Sequence, residues 1–113
     1  MAETGTTSGI DKALIDEIVR RVLSVAAPDK IILFGSAATG RMTRDSDIDL
    51  LIVEAGPIDR REEYVRIRRA LRGMGYPFDI LFITTEWFEA SKNVIGGIAY
   101  PAHKHGKVIY AAA

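Results

Sequence analysis

The sequence predicts an α/β fold in which helices flank a β-sheet. Two amphipathic segments carry apolar residues three or four positions apart, which is the spacing of one helix face. Between and after these segments lie short apolar runs bounded by turn residues, a pattern typical of buried strands. Helices and strands therefore alternate. The length of 113 residues suits one domain, which we expect to cover residues 10–113.

The two long helices differ in how much of their surface is apolar. The first is expected to run from about Ile10 to Val25 and to end before Pro28. The second is expected to run from Asp59 to about Gly73. Its narrow apolar stripe consists of Tyr64, Ile67, Leu71 and Met74. Arginines crowd the rest of this helix. We interpret them as a solvated face partly offset by Glu, with a partner or RNA surface as the alternative.

The shorter elements follow from apolar runs and turn residues. Four runs predict strands at residues 31–34, 48–53, 78–83 and 108–110. A short helical turn is expected over residues 36–39. A third helix is expected to be capped by Thr84 or Thr85 and to extend to Val94. Exposed apolar residues between 95 and 100 would indicate a partner interface.

Composition narrows the environment and the class of partner. The chain has no cysteine, which excludes disulfides and thiolate metal sites and suits a reducing cytoplasm. The formal net charge is zero, so the overall charge predicts neither nucleic-acid nor membrane binding. No apolar run reaches 18 residues, and residues 1–9 lack the regions of a signal peptide. We expect those nine residues to form a flexible tail.

Three aspartates interrupt or border the predicted strands. Asp47 and Asp49 stand at the start of the second strand, and Asp79 is the single charge within the third. Side chains alternate along a strand, so Asp47 and Asp49 point to one face with Cα atoms about 6.5–7 Å apart. A strand charge without a partner costs several kcal/mol when buried. If the third strand lies beside the second, Asp79 can join the other two.

Clustered carboxylates of this kind predict a metal site. Like charges so close repel each other, and a divalent cation relieves the repulsion. Oxygen ligands favour Mg²⁺ or Mn²⁺, and Mg²⁺ commonly shares its shell with substrate phosphates. The alternative for Asp47 is a local turn role, because Asp-Ser-Asp is common turn chemistry. Asp49 is harder to explain in that way, since it falls inside the apolar run.

Gly35 and Ser36 leave the end of the first strand and are expected to enter a helical turn. Helix N-termini with free amides hold phosphate, and glycine permits close approach. Ser36 could add a hydroxyl donor. An ordinary strand-to-helix turn capped by Ser36 is the alternative. The segment is neither a Walker loop nor a dinucleotide fingerprint.

Taken together, Gly35-Ser36-x-x-x-Gly40, Ser46-Asp47-x-Asp49 and a lone Asp79 in a later strand resemble the nucleotidyltransferase superfamily that includes DNA polymerase beta. The chain is most similar to the minimal nucleotidyltransferases, small proteins of about this length. By motif the resemblance covers roughly residues 31–83. It implies a mixed sheet flanked by helices, with Mg-ATP bound between the glycine-serine turn and the acids.

The resemblance also implies roles for individual residues. Asp47 and Asp49 would hold the metals, and Asp79 would hold the catalytic metal and help to deprotonate an acceptor hydroxyl. Gly35 and Ser36 would bind the β- and γ-phosphates. The acceptor would be a tyrosine on a separate all-helical protein of the HEPN toxin type, which the small protein neutralises by transferring AMP. Assembly with further copies of this chain is left open.

One position departs from the family pattern. Many relatives have Arg just before the closing glycine of the loop, where this chain has Thr39. Arg41 or Arg44 could supply the missing charge to the triphosphate. The alternative is a binding module that keeps the fold and neutralises its partner by contact. An Asp-x-Asp phosphatase fits less well, because Gly-Ser occupies the place of its nucleophile, and a glycosyltransferase usually needs a longer chain.

Overall fold

The computed structural model describes residues 11–35 and 47–113, and the fold is given for those residues. Four helices and four strands lie within them. The helices are α1 (Lys12–Leu23), α2 (Arg60–Ala70), α3 (Thr85–Ser91) and α4 (Ala99–His105). The strands are β1 (Lys30–Phe34), β2 (Ile48–Glu54), β3 (Phe78–Thr84) and β4 (Lys107–Ala111). Each predicted strand is present to within one or two residues at either end.

The strands form one mixed sheet in the order β3-β2-β1-β4. Strand β1 is antiparallel to both β2 and β4, whereas β2 and β3 are parallel. The α/β fold with a mixed sheet flanked by helices is therefore confirmed. So is the predicted adjacency of the second and third strands.

Both faces of the sheet are buried, which explains the continuous apolar run in β2. One face packs on α1 and α2 through Ile18, Val22, Ile67 and Leu71 together with even-numbered β2 residues such as Leu50. The opposite face packs Leu51 and Val53 against Phe88, Ala99 and Ala102 of α3 and α4. Asp49 belongs to this second face by alternation along the strand.

Side-chain caps fix where three helices begin. Asp11 accepts a hydrogen bond from the Leu14 amide at 2.8 Å, and Asp59 accepts one from the Glu62 amide at 3.1 Å. Thr84 accepts one from the Trp87 amide at 3.0 Å, so Thr84 rather than Thr85 caps α3. Each cap satisfies an amide that the first helical turn leaves without a partner.

Several sequence expectations need correction. The first two helices end earlier than predicted, at Leu23 and Ala70. Tyr64 is exposed rather than buried, and it lines a cavity of about 550 Å³ together with Leu81 of the edge strand β3, which is exposed as well. Val94 lies beyond the end of α3 and is also exposed.

Helix α4 is not among the elements predicted from the sequence, because Gly96-Gly97 and Pro101 interrupt the pattern of that region. Proline is tolerated in the first turn of a helix, where its missing amide would be without a partner anyway. The expected helical turn over residues 36–39 and the start of the first helix at Ile10 lie outside the described residues. In the part of the chain that the structure describes, no helix has the length and apolar character needed to cross a membrane.

Candidate active site

Two of the three predicted acids are neighbours on adjacent parallel strands. Asp49 on β2 lies directly beside Asp79 on β3 in the register of the sheet. Paired residues of adjacent strands point to the same face, so both carboxylates lie on the face that Leu51 and Val53 share. Asp47 immediately precedes β2 and is exposed. The acids therefore lie together where β2 and β3 begin.

The electrostatics of Asp49 show how strongly these groups interact. Partial burial raises the pKa of the Asp49 carboxyl, and the charges of Asp79 and then Asp47 raise it further. All three influences favour the neutral form of Asp49. Within residues 11–35 and 47–113, no cation offsets them. The arrangement therefore has a local excess of negative charge that a bound cation would relieve.

The turn after β1 reaches the same place. Phe34 pairs with Asp49 across the antiparallel β1–β2 ladder, and Gly35 follows it with a φ of +71°. A Cβ at Gly35 would stand 2.2 Å from Oδ2 of Asp49, so the Asp49 carboxylate would have to move away. Glycine therefore suits both the left-handed backbone and the present position of the carboxylate.

The donor set fits a hard divalent cation. All three side chains offer carboxylate oxygens, which Mg²⁺ and Mn²⁺ prefer. Among the described residues, no group of three His, Cys, Asp or Glu side chains is already arranged as a metal cage. Mg²⁺ does not require such a cage, because one or two carboxylates together with substrate phosphates usually hold it. The predicted nucleotide-binding residues Ser36, Arg41 and Arg44, and the divergent Thr39, lie outside the described residues.

A second carboxyl pair, which the sequence analysis missed, lies at the opposite end of β2. Glu54 is 8% exposed. Burial raises the pKa of Glu54 to about 7, and a hydrogen bond with Glu63 and the charge of Glu63 add to the effect. The charge of Arg66 acts in the opposite direction. The sequence signal that could have revealed this pair is Glu54 itself, a charged residue at the end of an apolar strand, as Asp49 is near its beginning.

Comparison with known proteins defines the class to which this fold and site belong. The family of the nucleotidyltransferase domain matches residues 12–100, which is most of the chain. The chain therefore belongs to the nucleotidyltransferase domain family, and the predicted membership is confirmed. A comparison with curated proteins gave no match.

Solved structures share the fold at low sequence identity. A toxin–antitoxin structure with AMP-PNP is 18% identical with a TM-score of 0.67, and the alignment covers 87% of this chain and 73% of that one. A mutant of the toxin–antitoxin pair MntA-HpeT is 16% identical with a TM-score of 0.66 and the same coverage. A tri-AMPylated HEPN toxin of Shewanella oneidensis in complex with its MNT antitoxin matches at 14% identity, with a TM-score of 0.63 and coverage of 91% and 74%. At these identities the likeness extends to the fold alone.

Proposed function

We propose that this nucleotidyltransferase domain transfers AMP from ATP to a hydroxyl group in a Mg²⁺-dependent reaction. We further propose that the acceptor is a tyrosine on an all-helical partner of the HEPN toxin type. One observation carries the proposal. Asp49 and Asp79 are register partners at the start of two parallel strands, and Gly35 approaches the Asp49 carboxylate. This arrangement lies within the part of the chain that the family comparison matches.

The acids would hold the metal and the reacting groups. Asp47, Asp49 and Asp79 would bind Mg²⁺, which when bound stabilises charge on the phosphate oxygens and lowers the pKa of a coordinated hydroxyl. Asp79 is the exposed member of the register pair. In the proposed reaction, Asp79 accepts the proton of the acceptor hydroxyl as that oxygen attacks the α-phosphorus of ATP. Pyrophosphate leaves as the bond from the α-phosphorus to the bridging oxygen breaks.

The turn after β1 would bind the rest of the triphosphate. Gly35 has no side chain, so a phosphate could approach the backbone beside Asp49. Ser36 would donate its hydroxyl to the β- or γ-phosphate. Arg41 and Arg44 would offset the triphosphate charge in place of the arginine that Thr39 replaces.

Two observations support a protein partner. Similar folds occur in complexes of a toxin with its antitoxin, one of them a tri-AMPylated HEPN toxin with an MNT antitoxin. In addition, Trp87, Val94 and Ile95 are 64%, 60% and 83% exposed beside a cavity of about 290 Å³. Exposed apolar groups of this size are typical of binding surfaces. ATP as the substrate makes the cytoplasm the expected compartment.

The decisive experiment uses the chain together with the product of a neighbouring gene that encodes a small helical protein. The pair is incubated with Mg²⁺ and ATP labelled at either the α- or the γ-phosphate. We expect label on the partner from α-labelled ATP alone, and we expect mass spectrometry to locate AMP on a tyrosine. Asp49→Asn should abolish the transfer. Asp16→Asn, which neutralises an exposed aspartate of α1, is the matched control and should leave it intact.

Two results would contradict the enzymatic proposal. One is the absence of transfer from α-labelled ATP while the complex forms. The other is a partner that Asp49→Asn still neutralises fully. Either would favour the binding module, in which contact alone suppresses the partner.

A further inference from the structure

A cavity of about 340 Å³ lies between the end of α2 and the start of β3, on the sheet face opposite to the acids. Arg68, Arg69 and Arg72 line it together with Tyr76, and we refer to these four residues as the arginine cavity. Its volume is within the range of pockets that hold small ligands. The rest of its lining is apolar or glycine, including Pro77 and Phe78, and no carboxylate takes part.

The arginines of this cavity are not neutralised by the described residues. Elsewhere on these helices, Arg66 pairs with Glu62 and Glu63, and Arg21 pairs with Glu17. Within residues 11–35 and 47–113, by contrast, Arg69 and Arg72 have no ion pair. Arg68 donates a hydrogen bond of 3.3 Å to the hydroxyl of Tyr64 and lies over its ring, and it has no ion pair with a described acid. The helix dipole favours a cation in the last turn of α2, but it does not explain why three arginines line one cavity.

A larger cavity nearby differs from the arginine cavity in the charges that line it. Its volume is about 750 Å³, and Arg61, Arg66 and Arg69 line it together with Asp59 and Glu62. There the charges largely offset each other. A further cavity of about 550 Å³ also lacks an acid, but it has two arginines, Arg60 and Arg61, where the arginine cavity has three.

We propose that the arginine cavity binds single-stranded RNA through its phosphates. Guanidinium groups bind phosphate oxygens in pairs of hydrogen bonds, and three arginines line this cavity. Tyr76 is exposed and can stack on a base, while Pro77 and Phe78 offer apolar surface to its edge. An acidic peptide would use the arginines but would leave the aromatic and apolar lining without a matching group.

The cavity is also well placed relative to the acids. Phe78 lines it, and the next residue in β3 is Asp79. The amide of Ile48, which follows Asp47, donates to the carbonyl of Pro77 at 2.8 Å. The two sites thus share one end of the sheet and are separated by the edge strand β3. A bound strand could occupy the arginine cavity without covering the acids.

Fluorescence anisotropy of a labelled single-stranded RNA of about ten nucleotides tests the proposal. The assay contains the full chain and neither ATP nor Mg²⁺. Three phosphate contacts predict a slope of log binding constant against log salt of about −2. Arg69→Gln combined with Arg72→Gln should weaken binding by about tenfold or more and reduce the slope to about −0.7. Tyr76→Ala should weaken binding without changing the slope.

The controls separate this site from general charge and from catalysis. Arg60→Gln removes the same charge from the same helix outside the cavity, and we expect binding as in the wild type. Asp79→Asn should also bind RNA normally, so a failure of AMP transfer is distinguishable from a failure here. Circular dichroism checks that each variant is folded. The proposal is overturned if the double variant binds as well as the wild type, if Arg60→Gln loses as much, or if a polyglutamate peptide binds as tightly as RNA.

Discussion

The two ends of β2 carry the same chemical group in two different surroundings. At the start, Asp49 lies beside Asp79, next to an exposed Asp47 and a glycine turn. At the other end, Glu54 is buried and shares a hydrogen bond with Glu63. Burial is the largest cause of a raised pKa at both ends. The strand therefore begins and ends with a carboxyl group that is costly to ionise.

The two ends of β2 differ in the groups that can offset the cost of ionising the buried carboxyl. Burial and the neighbouring Glu63 raise the pKa of Glu54 to about 7, which favours a protonated Glu54 that donates a hydrogen bond to Glu63. Arg66 in turn donates a hydrogen bond of 3.1 Å to Glu63. Among the described residues, the charges that act on the pKa of Asp49 are those of Asp79 and Asp47, both acids and both exposed. A closed carboxyl pair is stabilised by sharing a proton, whereas an open cluster can be stabilised by a metal ion. This contrast separates a structural pair from a candidate catalytic one.

The largest expected effect is a loss of AMP transfer when a carboxylate at the start of β2 is neutralised, compared with the same change at its other end. Asp79→Asn should lower AMP transfer about a thousandfold, since several kcal/mol of charge stabilisation depends on the metal-binding acids. Glu63→Gln makes the matching change at the other end and should alter transfer by less than about twofold. Initial rates with α-labelled ATP measure both. Comparable losses in the two variants would mean that the ends are not functionally distinct.

A smaller effect is expected where the glycine turn meets Asp49. Gly35→Ala combines left-handed backbone strain with a Cβ placed 2.2 Å from Oδ2 of Asp49, so we expect a stability loss of about 2–3 kcal/mol and weakened transfer. Gly73→Ala is the matched control, because its φ of +86° is similar but nothing lies within 4 Å of the added carbon. It should lose only about 1–2 kcal/mol. Urea unfolding measures the difference, and equal losses would count against the close contact.

The smallest expected effect is the pH dependence of stability that Glu54 causes at the end of β2. The pKa of Glu54 is raised from 4.5 to about 7, so the folded chain keeps a proton that the unfolded chain has lost between these values. The free energy of unfolding should therefore decrease as pH rises from 4.5 to about 7, and then level off. Glu54→Gln should remove this decrease and stabilise the fold at higher pH by about 1–2 kcal/mol.

Urea unfolding at a series of pH values checks this, with Glu62→Gln, which neutralises an exposed carboxylate of α2, as the control. Glu17 does not interfere, because Arg20 and Arg21 lower its pKa to about 2 and its effect falls below pH 4.5. A wild-type stability that rises from pH 5 to 7, or the same slope in Glu54→Gln, would contradict the shared proton.

The contrast also shows what the sequence could reveal. The strands were predictable from their apolar runs, and the mixed sheet followed from the resemblance to the nucleotidyltransferases. The adjacency of Asp49 and Asp79 followed on the condition that their two strands are neighbours. The pairing of Glu54 with Glu63 was not predictable, since it depends on which face of the sheet α2 covers. Helix α4 escaped prediction because its buried side consists of Ala99 and Ala102, which give too weak an apolar pattern among glycines and a proline.

The side chain of Tyr64 teaches a related lesson. Its spacing from Ile67 and Leu71 places Tyr64 on the apolar stripe of α2. Ile67 and Leu71 are buried in the core, whereas Tyr64 is exposed near the edge strand β3. Helical periodicity identifies a face, whereas the extent of the layer beneath that face is a tertiary property. The arginines of the same helix show this too, because only the fold distinguishes Arg66, which pairs with Glu62 and Glu63, from Arg69, which has no ion pair with the described residues.

Titration of Mn²⁺ in the presence of a non-hydrolysable ATP analogue, followed by electron paramagnetic resonance, tests the distinction between the two ends of β2 most directly. The wild type and Glu54→Gln should bind Mn²⁺ and nucleotide together with similar affinity, whereas Asp49→Asn should lose this binding by at least about tenfold. Unchanged binding in Asp49→Asn, or an equal loss in Glu54→Gln, would contradict a metal site at the start of β2.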